Sequence, residues 1–152
     1  DGKKIYKQLL LSFLMTNILD MQDLRYLNLF ARITGVDTRY FFEYNNMLVF
    51  CVPRRLIKKA LGQNAENLKK MSGITGKRIR VVAQPEGIED VRGFIEMIIS
   101  PITFNGLEVT PDEVIVNAGK MNKAMLIGRE KRRLNEMKKI VKSFFKRDFR
   151  IV

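Results

Sequence analysis

The sequence contains no histidine and a single cysteine, Cys51. Without histidine the chain lacks the commonest general base and the commonest metal ligand, and one cysteine adds too little to build a zinc site. One cysteine also excludes a disulfide within the chain. Cys51 lies inside the apolar run 47–52, which predicts a buried and unreactive thiol. Metal, cofactor and disulfide chemistry are therefore not expected.

Long apolar segments are also missing. The apolar run at residues 9–19 has eleven residues, which is too few to span a bilayer. We expect residues 1–21 to form a helical extension that packs on the body of the protein or docks on a partner. The chain begins with Asp1 rather than methionine, which favours a fragment or a processed form.

Acidic residues are scarce, since 16 Asp and Glu oppose 28 Lys and Arg, for a formal net charge of +12. The excess is confined to two blocks. Residues 53–83 carry nine basic residues and one acidic residue, and residues 119–152 carry twelve and three. Between them, residues 84–118 carry one basic residue and seven acidic residues. Two such patches suit a polyanionic partner, with nucleic acid ahead of a membrane surface, and two solvated helix faces are the open alternative.

The sequence offers little for catalysis. Glu89–Asp90 begins a predicted helix, where acids suit the helix dipole, and Asp112–Glu113 lies in a predicted hairpin turn. Residues 73–78 resemble a phosphate loop only faintly, because Met71 replaces its first glycine and Arg78 replaces its serine or threonine. No nucleophile with an adjacent base is recognisable. We therefore expect a binding protein, not an enzyme, and no small-molecule substrate.

Apolar periodicity divides the chain into two similar series of elements. Spacings of three and four residues predict helices, and alternation predicts strands. Asn45 and Asn46 separate two strand-like runs as a hairpin turn, Asn64 is predicted to cap a helix, and Ser72–Gly73 to end it. The predicted elements are, in order, residues 22–33, 38–44, 47–52, 54–61, 65–71, 77–83, 89–99, 103–109, 113–118, 120–127, 132–145 and 149–152.

A shift of 66 positions aligns the second series with the first, which indicates two copies of one unit. Each copy reads helix, strand, strand, helix, glycine turn, helix, strand. A three-stranded sheet with helices on one face would bury the apolar positions. We therefore expect an α+β protein with units at residues 22–84 and 85–152. The aligned pairs are Leu48 and Val114, Val49 and Ile115, Phe50 and Val116, Gly62 and Gly128, Leu68 and Leu134, and Met71 and Met137.

Gly62 and Gly128 each separate two predicted helices. A tight turn at such a glycine brings backbone N–H groups to the N-terminus of the second helix. There the helix dipole and the neighbouring lysine and arginine side chains favour a phosphate group. The pair of turns therefore predicts a clamp for a nucleic-acid backbone.

This order of elements, with a glycine turn between the central helices, resembles a tandem pair of K-homology (KH) domains in the type II arrangement. Residues 23–36, DLRYLNLFARITGV, look like the opening helix of the archaeal NusA-like transcription factors. Residues 124–134, AMLIGREKRRL, look like the second signature loop of that family. The resemblance covers residues 22–152. It implies a cytoplasmic protein that binds single-stranded RNA beside RNA polymerase, in transcription elongation, termination or antitermination.

The resemblance also implies a binding site. In a KH domain a G-x-x-G loop clamps about four nucleotides, whose bases lie on an apolar groove. Here Ala65 and Lys131 replace the two closing glycines, and Glu130 faces a phosphate unfavourably. Leu61 and Ile127 are candidates for the groove floor or for ordinary core. The residues implied to bind RNA are Lys58, Lys59, Gly62, Gln63, Asn64, Ala65 and Lys69 in the first unit, and Lys123, Gly128, Arg129, Glu130, Lys131, Arg132 and Arg133 in the second.

Two further alternatives stay open. Tyr40, Phe42 and Tyr44 share one strand face and can stack on bases, although packing in the core or at an interface is the favoured interpretation. Because neither loop has its closing glycine, the protein can also be a KH-fold protein-interaction or ribosome-associated module with weakened RNA binding.

Overall fold

The structure is a computed structural model that describes Gly2 and residues 21–152. The predicted N-terminal extension, residues 1–21, lies outside the described residues except at Gly2 and Met21. Among the helices in the described part of the chain, none is long and apolar enough to cross a membrane.

The described residues form two successive series of helices and strands. The first series is α1 (Met21–Thr34), β1 (Tyr40–Tyr44), β2 (Met47–Val52), α2 (Ile57–Leu61), α3 (Glu66–Thr75) and β3 (Arg78–Ala83). The second series is α4 (Val91–Ile99), β4 (Gly106–Val109), β5 (Glu113–Asn117), α5 (Lys120–Ile127), α6 (Arg132–Phe145) and β6 (Asp148–Ile151). Each half therefore has the predicted order of elements.

Each half contains a three-stranded sheet with the same pairing pattern. The first sheet has the order β1-β2-β3 and the second has the order β4-β5-β6. In both sheets the central strand pairs antiparallel with the strand before it and parallel with the strand after α3 or α6. Asn45 and Asn46 form the hairpin turn between β1 and β2 with φ angles of 50° and 61°, a left-handed conformation that asparagine tolerates.

One face of the first sheet packs against α1, α2 and α3. The rings of Phe30 and Phe50 stack here, with their centroids 4.3 Å apart. Alternate residues of β2 point to this side because successive strand side chains face opposite ways. The buried residues of this first core are Phe30, Val36, Leu48, Phe50, Val52, Ala60 and Met71.

The other face of the first sheet packs against helices of the second half. Phe42 of β1 makes edge contacts with Phe94 of α4 and Phe144 of α6, at centroid distances of 6.2 and 6.1 Å. Tyr40 also contacts the Phe144 ring. The favoured interpretation of the aromatic cluster, packing in the core or at an interface, is confirmed for Phe42 and Tyr44, whereas Tyr40 is 42% exposed. The buried residues of this second core include Met47, Val49, Cys51, Val82, Phe94, Ile98, Val114, Val116, Met137, Val141 and Phe149.

The structure confirms the predicted α+β class with two three-stranded sheets, and it is compatible with KH-like domains. One part of the prediction is incomplete, because helices cover both faces of the first sheet rather than one. Two local predictions are wrong: α3 runs past Ser72–Gly73 to Thr75, and the Asn64 side chain does not cap it. Cys51 is fully buried as predicted, and burial raises the pKa of its thiol well above the usual range.

Arg80 of β3 links the two halves at the C-terminus of α4. Its Nη1 atom donates to the carbonyl oxygens of Met97, Ile98 and Ser100 at 3.1, 2.9 and 3.0 Å. The last carbonyls of a helix have no partner within the helix and lie at the negative end of its dipole. Burial and the neighbouring Arg78 lower the pKa of Arg80, yet the guanidinium stays charged.

Replacing Arg80 with methionine should lower the free energy of unfolding by about 2 kcal/mol, because hydrogen bonds to a charged group are lost from partly buried carbonyls. Urea denaturation measures the change. Arg78→Met is the matched control, since Arg78 is exposed and makes only a 3.4 Å contact with the Asn45 carbonyl. Equal midpoints for the two variants would mean that the Arg80 contacts do not stabilise the fold.

Candidate nucleic-acid interface

The two predicted glycine turns share one backbone geometry, and we call them the first corner (residues 62–65) and the second corner (residues 128–131). Gly62 has φ 74° and ψ 179°, and Gly128 has φ 75° and ψ 173°. This region of backbone conformation is accessible essentially to glycine alone. Each glycine ends one helix, and a single 3-10 turn leads into the next.

The last two residues of each corner are left-handed. Asn64 and Ala65 have φ angles of 56° and 57°, and Glu130 and Lys131 have φ angles of 57° and 60°. Ala65 and Lys131 therefore adopt the conformation for which glycine is preferred, although a Cβ atom makes it costly. The conformation at both closing positions is thus available without the closing glycine.

Both corners are locked by a side chain at equivalent positions of the repeat. Asn67 donates from Nδ2 to the carbonyl oxygens of Lys59 and Ala60 at 3.3 and 3.1 Å. Arg133, 66 positions later, donates from Nη1 to the carbonyl oxygen of Met125 at 2.6 Å. The acceptors Lys59 and Met125 are also 66 positions apart. Each bond ties the start of the second helix to the last turn of the first.

The basic side chains of the first corner lie on the surface. Lys58, Lys59 and Lys69 are exposed, and so are Gln63 and Asn64 at the tip of the turn. A groove of about 440 Å³ runs beside this corner, between α3 and the edge strand β3. It is lined by Met47, Ala65, Leu68, Lys69, Ser72, Arg78, Ile79 and Arg80.

At the second corner some basic side chains are exposed, and others donate hydrogen bonds within the chain. Lys123, Arg129 and Lys131 are exposed, as is Glu130. Arg132, in contrast, donates to the side-chain oxygen of Asn46 at 3.0 Å. Arg133 is half-buried and donates from Nε to the Asn45 side-chain oxygen at 3.0 Å, in addition to its bond to Met125.

The hairpin turn Asn45–Asn46 connects the two regions. Arg78, which lines the first groove, donates to the Asn45 carbonyl at 3.4 Å, and Asn45 accepts from Arg133 beside the second corner. The Asn45 N–H also donates to a carboxylate oxygen of Glu136 at 3.1 Å. Under this turn, burial raises the pKa of Tyr44 to about 12, with nearby Arg133 opposing the shift. A path of direct contacts therefore joins the first groove to the second corner.

Leu61 and Ile127, the candidates for a groove floor, are half-buried, and neither lines the first groove. Its apolar lining comes instead from Leu68, Ile79 and Met47. The sequence interpretation also missed Ser72, Arg78 and Arg80. The position of Arg78 and Arg80 in the strand that follows α3 is the signal that could have identified these two arginines.

Comparisons with known proteins support a relationship to NusA-like, KH-like proteins. Over 84 residues, or 55% of this chain, the sequence is 31% identical to the probable transcription termination protein NusA of Methanococcus vannielii. The matched segment is 47% of that protein, so the chain spans about half the length of the curated relative. The crystal structure of APE1850 has the same fold, with a TM-score of 0.61 over 88% of this chain and 99% of that one, at 21% identity. No protein-family profile matches the chain.

Gly62→Ala should lower the free energy of unfolding by about 1–3 kcal/mol, because a Cβ atom at φ 74° would lie 2.9 Å from Nδ2 of Asn67. Gly73→Ala is the matched control, since a Cβ atom there meets open space within α3. Alanine at that helix position should raise stability by about 0.5–1 kcal/mol. Urea denaturation of both variants distinguishes them, and a stabilising Gly62→Ala would contradict the described corner.

Proposed function

We propose that this chain is a single-stranded RNA-binding factor with two type II KH domains in tandem, which acts with RNA polymerase in transcription elongation or termination. The distant relative named as a transcription termination protein supports the transcription role. The repeated corners carry the RNA-binding part of the proposal. We further propose that the protein is archaeal, that it acts in the cytoplasm, and that it catalyses no reaction.

The chemistry of each corner suits a phosphate group. The first N–H groups of a helix have no partner within the helix, and they lie at the positive end of its dipole. At the second corner the N–H groups of Lys131 and Arg132 already donate to the carbonyl oxygens of Gly128 and Arg129. The dipole of the 14-residue helix α6 and the exposed side chains of Arg129 and Lys131 therefore supply the attraction there. Arginine and lysine add charge-assisted hydrogen bonds to phosphate oxygens. We therefore assign the direct phosphate contacts to Arg129 and Lys131, and the locking contact to Arg133.

The first groove suits bases. Leu68 and Ile79 supply apolar surface, and the basic residues Lys69 and Arg78 lie along the same groove. A single-stranded nucleotide can then place its base on the apolar walls and its phosphate near a basic side chain. Such contacts through phosphates give affinity with little sequence preference and make binding sensitive to salt.

One observation favours RNA binding over a protein-interaction module. The argument for such a module is the loss of both closing glycines, which would alter the loops. Ala65 and Lys131 nevertheless keep φ angles of 57° and 60°. Left-handed non-glycine residues cost about 1–3 kcal/mol each and persist where the surroundings impose them. The left-handed turn is therefore kept without the closing glycines, which supports the proposal of a phosphate site at each corner.

Removing a positive charge or a negative charge from neighbouring residues tests the second corner. Arg129→Gln and Lys131→Gln should each weaken binding of a short single-stranded RNA about threefold to tenfold, because about 1 kcal/mol of attraction to phosphate is lost. Glu130→Gln should strengthen binding by a comparable factor, since a repelling carboxylate is removed. Fluorescence anisotropy with labelled RNA at several salt concentrations measures all three.

The log–log slope of affinity against salt should become shallower by about 0.7 for each lost phosphate contact. Arg25→Gln on α1 is the control, because Arg25 is exposed and distant in sequence from both corners. If all four variants bind RNA like the wild type, the second corner does not contact RNA. If the wild type binds no RNA, the protein-interaction alternative is supported, and copurification with polymerase or ribosomal subunits would identify the partner.

A further inference from the structure

A second groove, larger than the first, lies between the C-terminal half of α6 and the start of β6. Its volume is about 820 Å³, and we call it the lysine groove. Four exposed lysines line it, together with one acidic residue, Asp148. The lysines are Lys138, Lys139, Lys142 and Lys146. None of them belongs to the site that the sequence predicted.

The lysines form a row along the helix. Lys138 and Lys142 are four residues apart, so their side chains leave the same face of α6 about 6 Å apart along its axis. Lys146 follows at the next turn, directly after the helix ends at Phe145. Asp148 neutralises little of this charge, because its 3.4 Å ion pair with Lys142 is exposed on both sides.

The first half of the repeat has no such row. At the end of the helices the equivalent positions are 70 residues apart, since strand pairing makes Arg78 the counterpart of Asp148. The positions equivalent to Lys138, Lys139, Lys142 and Lys146 hold Leu68, Lys69, Ser72 and Gly76, of which one carries a charge. The difference coincides with helix length, since α3 has 10 residues and α6 has 14. The groove between the last helix and the last strand therefore occurs in both halves, and the row of lysines is a property of the second half.

Lys146 holds a backbone position that favours glycine. It ends α6 with φ 57°, and its N–H donates to the Lys142 carbonyl at 3.0 Å. The residue that ends α3 in the same way is Gly76, with φ 72° and a 2.8 Å bond to the Ser72 carbonyl. A lysine at this position is less stable than a glycine, because its Cβ atom crowds the left-handed backbone. The structure thus keeps a positive charge at this end of the groove at the expense of stability.

We propose that the lysine groove binds phosphates of the same RNA strand after it leaves the second corner, an inference that rests on the proposed function. Arg132 directly follows the corner and is the first residue of α6, and Lys138 lies about 9 Å farther along that helix. One rigid element therefore leads from the corner to the groove. Among the described residues of its lining, Phe149 is the only aromatic one and is 5% exposed, so this part of the groove offers charge without a stacking surface for bases. Binding there depends on strand length and not on sequence.

A double variant with a matched control tests the proposal. Lys138→Gln with Lys142→Gln removes two charges from the groove, and Arg25→Gln with Arg32→Gln removes two from α1, which packs on the opposite face of the first sheet. Anisotropy is measured with RNA strands of about five and about fifteen nucleotides, the shorter just longer than one KH site. The groove variant should bind the longer strand about tenfold more weakly, with a salt slope shallower by about 1.4. Its affinity for the shorter strand, and both affinities of the control, should stay within about twofold.

Lys146→Gly separates a binding role from a structural one. The urea midpoint should rise, because glycine relieves the left-handed strain, while affinity for the longer strand falls. If the groove variants bind both strands like the wild type while Arg129→Gln weakens both, the lysine groove is overturned and the corner proposal stands. If the wild type binds neither strand, both proposals fail. Tight binding of an acidic protein in place of RNA would also overturn the assignment of this groove.

Discussion

The apolar contact between the first sheet and helices α4 and α6 determines how the rest of the molecule is arranged. All six residues of β2, Met47–Val52, are buried, since one set of side chains meets the first-half helices and the other meets the second half. The described residues therefore stack as helices, sheet, helices and sheet. Because α6 both packs on β1 and begins at the second corner, this contact also positions that corner beside the first half.

The two corners reach the same backbone with different side chains. Asn67 and Arg133 differ in size and charge, yet each bonds the carbonyl at the equivalent position of the preceding helix. Left-handed residues other than glycine persist when the surrounding structure imposes them. These locks and the packed helices on either side supply that constraint. A glycine at position 65 or 131 is therefore not needed for the shape of these turns, and the position becomes available for a charged residue such as Lys131.

Most of the fold could be predicted from the sequence, because periodicity and turn residues are local signals. The hairpin at Asn45–Asn46 and the corner glycines are examples. The elements that cover the second face of the first sheet could not be assigned from the sequence, although the unbroken apolar run 47–52 is typical of a strand buried on both sides. Charge patterns could not separate Arg129, which is exposed, from Arg133, which bonds within the chain. The lysine groove depends on where α6 ends relative to β6, and no local pattern encodes that distance.

The bonds of the hairpin turn Asn45–Asn46 to Arg78 on one side and to Arg132 and Arg133 on the other have a consequence for affinity. Two weak contact sites held at a fixed separation behave as a bivalent receptor. Once one part of a polymer is bound, the second contact becomes intramolecular, at an effective concentration set by the flexibility of the polymer itself. The gain appears mainly as a slower dissociation rate, because encounter still occurs one site at a time. The protein would then retain strands that are long enough to bridge both sites and release shorter ones.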